Sequence, residues 1–122
     1  MDFHETAAAF LSGWSEGDRT RLLGLLAADV TFSDAHHAVP IAGATALFNY
    51  VVQSRARFPQ LRFELVATDH HGPNGVIYWR LDGTQESGRS AGCFFVLLNA
   101  ERRIAEIVGF SDPRPDPQLA PR

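Results

Sequence analysis

The apolar positions along this chain follow two different periods, one in each half. Phe3, Ala7, Phe10, Leu11 and Trp14 recur at helical spacing, and Glu16-Gly17-Asp18 supplies a stop followed by a candidate N-cap. A second helix is predicted over 19–27, burying Leu22, Leu23, Leu25 and Leu26. A short strand follows near 30–33, where β-branched and aromatic residues replace leucine. Pro40 and Gly43 mark a bend before a third helix, which carries Leu47, Tyr50 and Val51 on one face. From Leu61 onward the period becomes two: Leu61, Phe63, Leu65 and Ala67 alternate with Arg62, Glu64 and Thr68. Further strands are predicted over 76–84, 89–98 and 103–110, separated by turn-forming clusters at 72–75, 85–88 and 99–102.

Helices first and an antiparallel meander afterwards predict an α+β fold, with three N-terminal helices packed on one face of the sheet. The run from Gly92 to Leu98 is apolar on both faces. Such a strand needs cover on each side, so either the sheet curls around a ligand cavity or its outer face meets a second copy in a homodimer. Strand alternation from Phe94 turns Gly92 and Val96 inward, and aligned neighbours add Ile77, Trp79 and Leu81, then Ile107 and Gly109. With Trp14, Phe32, Leu47, Tyr50 and Val51 from the other elements, that lining suits a flat apolar ligand. The two tryptophans read equally well as core or as pocket wall, because in a cup these are the same residues.

The 122 residues suffice for one domain, expected over 1–112. Pro113, Pro115, Pro117 and Pro121 predict an extended tail over 113–122. No apolar run approaches the length of a membrane span, and the acidic opening does not resemble a secretory signal, so the cytoplasm is the expected compartment. Cys93 is the only cysteine, which excludes an internal disulfide and a thiolate zinc cage; its apolar surroundings favour an inert buried thiol. The eleven basic residues are all arginine and are scattered, and the net charge is −3, so nucleic acid is not an expected partner.

The stretch Trp14 to Gly43 carries a Gly17-Asp18 turn, a leucine-rich helix, Asp29, and a strand running into Asp34. This order resembles the nuclear transport factor 2 like superfamily, in particular its ketosteroid isomerase and SnoaL-like polyketide cyclase branches. Tyr78-Trp79, Gly83-Thr84, Gly88-Arg89 and Ile104-Ala105-Glu106 ending in Asp112 are similar to SnoaL-like features. The resemblance covers roughly residues 5–112. It implies a cone-shaped fold whose strongly curved, mostly antiparallel sheet encloses a pocket, and a cofactor-independent acid/base enzyme. Asp34 matches the isomerase base, which moves a proton from a carbon next to a carbonyl. Phe10 and Phe94 stand where the isomerase has its two oxyanion donors, a pair known from ketosteroid isomerase. Neither phenylalanine can donate a hydrogen bond, so the complete isomerase mechanism is not expected.

Asp34 therefore heads the candidate catalytic residues, with a strand-ending carboxylate bonded to its own turn as the alternative. His36 and His37 follow on the same loop, either to orient Asp34, relay its proton or polarise a carbonyl, or as surface histidines. Tyr50 could supply a donor if its helix turns it inward, and Asp112 falls on the outward register of the last strand unless a bulge intervenes. No metal site is expected from Asp34, His36 and His37, and no role is assigned to His70 and His71. The function expected is isomerase, cyclase or dehydratase chemistry on a small apolar carbonyl or polyketide-like compound, without a cofactor. The alternative is a non-catalytic binding or dimerisation domain of the same fold.

Overall fold

The computed structural model describes residues 1–84 and 90–112. The tail expected over 113–122 and the turn at 85–88, with Gly88 and Arg89, lie outside the described residues.

Helix α1 spans Phe3–Glu16. Asp2 starts it with a capping box, its side chain accepting from the Glu5 N–H while the Glu5 carboxylate accepts from the Asp2 N–H. Gly17 ends it in the left-handed region, φ 65°, where a Cβ would be strained. Asp18 then caps α2 (Arg19–Leu25) by accepting from the Arg21 N–H. The second helix is shorter than its leucine pattern predicts. Leu26 already has extended backbone, and β1 runs Leu26–Ser33 because its apolar residues pair with a distant strand. The bend after Pro40 contains a two-residue strand, β2 (Ile41–Ala42), that the periodicity does not reveal. Gly43, at φ 99°, turns the chain into α3 (Ala44–Arg57).

The remaining strands are β3 (Arg62–His71), β4 (Asn74–Asp82), β5 (Ser90–Leu98) and β6 (Ile104–Asp112). They form one curved sheet in the order β2-β1-β6-β5-β4-β3, antiparallel except where β6 lies parallel to β1. Packed with the three helices on its concave side, this is an α+β cone. Bulges bend the strands and reset their phase. One at Val66 in β3 leaves Ala67 exposed and Thr68 half-buried, the reverse of the simple alternation. Another near Ala105 lets both Ile104 and Ile107 face the core, while Glu106 stays exposed and Asp112 keeps the register of exposed Phe110.

The concave side is filled by rings. Phe94 lies within 5.3–6.2 Å, centroid to centroid, of Phe10, Trp14, Phe32, Phe63 and Trp79. Well-placed aromatic pairs contribute about 0.5–1.5 kcal/mol each beyond the area they bury, so this cluster holds helices and sheet together. The convex side keeps a band of exposed apolar residues: Tyr78, Phe95, Leu97 and Phe110. Cys93 sits half-buried in that band, opposite Tyr78 and Phe110, rather than in the core, and burial pushes its thiol pKa up.

Candidate functional site

The parallel pairing of β6 with β1 builds the site. Ser33 pairs with Val108, so the chain leaving β1 passes alongside Gly109. A side chain at Gly109 would lie 3.2 Å from the Phe94 ring and 3.5 Å from Asp34 Cβ. Asp34 thus projects onto the concave face, beside the Phe94 ring.

Asp34 Oδ1 accepts the His36 backbone N–H at 2.9 Å and lies 2.6 Å from His37 Nδ1. The His37 N–H reaches back to the Asp34 carbonyl at 3.4 Å, closing a tight turn. Both side chains are mostly covered, Asp34 14% and His37 23% exposed. The His37 ring meets Tyr50 edge to face at 4.6 Å and Phe32 at 6.3 Å. Tyr50 is turned inward by α3, where it also packs edge to face on Trp14. Desolvation, and secondarily the Asp34 charge, hold its phenol pKa above the usual tyrosine value. Trp14 Nε1 donates to Ser54 Oγ at 3.1 Å. Trp79 Nε1 is buried and has no hydrogen-bond partner among the described residues.

The sequence-derived lining divides into two groups. Phe10, Ile77 and Ile107 expose no surface, and Trp14, Phe32, Leu47, Val51, Trp79, Phe94 and Val96 expose almost none. These belong to the packed hydrophobic core. Tyr50, Leu81 and Gly92 are partly exposed, as are Asp34 and His37. Gly109 is buried between the two groups, while His36 is exposed with only its backbone engaged by Asp34. Phe63 and Ser54 belong to the same assembly, although sequence reasoning did not single them out as site residues. The inward phase of Phe63 is visible in the alternation of β3, but nothing in the sequence marks Ser54. A groove of about 280 Å³ between α1 and β3, lined by residues such as Ser12, Ser15, Arg62 and Leu65, contains neither Asp34 nor His37.

Among the described residues, no three His, Cys, Asp or Glu side chains gather in a way that could hold a metal ion. Within the same residues no helix is long and apolar enough to cross a membrane.

Residues 7–107 match the model of the SnoaL-like domain, and the chain belongs to that family. A SnoaL-like protein of Agrobacterium tumefaciens, provisionally named an isomerase, shares 27% identity over 89% of this chain and 96% of its own, with a TM-score of 0.77. A Jannaschia protein provisionally named a SnoaL-like polyketide cyclase superposes with a TM-score of 0.76 at 15% identity, over 89% of this chain and 84% of its own. A Cytophaga hutchinsonii protein of unknown function, called NTF2-like, gives 0.75 at 11% identity, over 93% of each chain. The last two similarities concern fold alone. No curated protein matches the chain.

Proposed function

We propose that this protein is a small cofactor-independent enzyme carrying out acid/base chemistry of the isomerase, cyclase or dehydratase type on a flat, apolar carbonyl or polyketide-like compound. The observation that carries this reading is the Asp34–His37 contact of 2.6 Å, held on the concave face beside the aromatic core. A carboxylate–imidazole pair can take up a proton and return it, the elementary step those reactions share. The name given to the Agrobacterium protein agrees with that chemistry.

One donor suits an oxygen of the ligand: the Tyr50 hydroxyl, on the ring that packs on His37. The exposed band Tyr78, Phe95, Leu97 and Phe110 would be covered by a second copy of the chain, and the compartment is the cytoplasm.

The test is hydrogen–deuterium exchange at carbon. Flat enolisable ketones are incubated with the protein in heavy water and followed by proton NMR. Wild type should accelerate loss of the signal from the carbon next to the carbonyl, and the double variant Asp34→Asn/His37→Gln should not. Equal rates with both proteins across the panel would leave the alternative, a binding domain of the same fold without turnover.

A further inference from the structure

Asp34 Oδ1 already has two partners within its own loop, the His36 backbone N–H and the His37 ring. An ionised carboxylate only accepts, so a proton shared across the 2.6 Å contact belongs to His37 Nδ1. Neutral imidazole carries one N–H, and with that N–H at Nδ1 the lone pair is left at Nε2. His37 Nε2 has no hydrogen-bond partner among the described residues, and the ring is held between Tyr50 and Phe32 while keeping part of its surface open. The turn from Asp34 to His37 and the edge-to-face contact with Tyr50 fix where Nε2 points.

We infer that His37 Nε2 is the atom that exchanges the proton, and that Asp34 is a positioning residue that fixes the ring's tautomer and direction. This deepens the function proposed above and rests on it for the identity of the reaction. In that reaction Nε2 takes the proton as the carbon–hydrogen bond breaks, and the electron pair moves to the carbonyl oxygen as an enolate. The imidazolium formed beside Asp34 exchanges its Nε2 proton with solvent while the enolate is held, then delivers a proton to a carbon or oxygen of the product. No net proton or electron is consumed.

Two measurements on the full chain test the assignment, and neither uses a substrate. Long-range proton–nitrogen NMR correlation, recorded above the imidazole range near pH 6.5, should show His37 with a protonated Nδ1 and a bare Nε2. Asp34→Ala, or Asp34→Asn if the alanine variant does not fold, should remove that preference. A bare Nδ1 and protonated Nε2 in wild type would overturn the assignment. Diethyl pyrocarbonate acylates unprotonated imidazole, so His37 should be modified in wild type despite its partial burial. Its rate should fall when Asp34 no longer orients it. His37 that stays unmodified while exposed His36 reacts would also overturn the assignment. Carbon exchange without the Nδ1–H tautomer would refute this division of roles alone, and the tautomer without exchange would refute the proposed function alone.

Discussion

A graded series of glycine substitutions follows from how tightly the rings are packed against the sheet. At Gly92 an added Cβ would run into the Phe110 carbonyl and the edge of the Trp79 ring. Neither can yield: the carbonyl belongs to the ladder with β6, and Trp79 is wedged against Phe63 and Phe94 at 5.3 Å. Overpacking of this kind costs about 1–3 kcal/mol, and the unfolded-state gain of alanine over glycine returns about 0.4–1 kcal/mol. Gly92→Ala should therefore lose about 1–2 kcal/mol, which lowers Tm by about 3–10 °C for a chain of this size. At Gly109 the nearest atoms of Phe94 and Asp34 lie at 3.2–3.5 Å, so the two effects should nearly cancel, within about 1 kcal/mol. Gly24, exposed on α2 with nothing within 4 Å, should gain about 0.5 kcal/mol. Thermal unfolding followed by circular dichroism ranks the three variants. Equal stability of Gly92→Ala and Gly24→Ala would refute the packing of Trp79 over Gly92, and with it the close packing of the aromatic core.

Ser54→Ala should cost about 1 kcal/mol by leaving Trp14 Nε1 without its acceptor, read in denaturant unfolding together with a change in tryptophan fluorescence. Tyr50 should ionise above the usual tyrosine range, and Asp34→Asn should lower its pKa only part of the way, because desolvation is the larger cause; ultraviolet difference titration measures both. The sign for stability follows from that raised value. The unfolded chain releases the Tyr50 proton first, so this contribution is fully present below pH 10 and is lost as pH rises through the folded-state pKa. Sedimentation at micromolar concentration should give a dimer that Phe95→Arg converts to a monomer, and a wild-type monomer would contradict the covering of the exposed band.

Period reading found most of the fold. Leu47, Tyr50 and Val51 do share the inner face of α3, and Ile77, Trp79, Phe94 and Val96 do face inward, because burial on one side imposes a repeat of 3.6 or 2 wherever an element is regular. The reading failed where tertiary pairing decided. Leucines at 25 and 26 look alike in sequence, yet pairing with Ile104 makes Leu26 the first residue of a strand. The Val66 bulge reverses the phase of β3, and no local residue type announces it. Asp34 was visible because it follows a short apolar strand. The inward turn of His37 was not, since it depends on a hydrogen bond back to Asp34 and on Tyr50 arriving from another helix. The insertion of β6 between β1 and β5, which brings Gly109 and Phe94 to Asp34, is equally beyond any local pattern.

The most direct measurement is a thermal-shift screen of wild type, Asp34→Asn and His37→Gln against flat ketones, phenols and polyketide fragments, repeated across pH. Members of one chemical class should raise the Tm of wild type, and the shift should shrink both in Asp34→Asn and in His37→Gln. Ligands that stabilise all three proteins equally at every pH, or no stabilising ligand in any class, would contradict a binding and reacting site at Asp34 and His37.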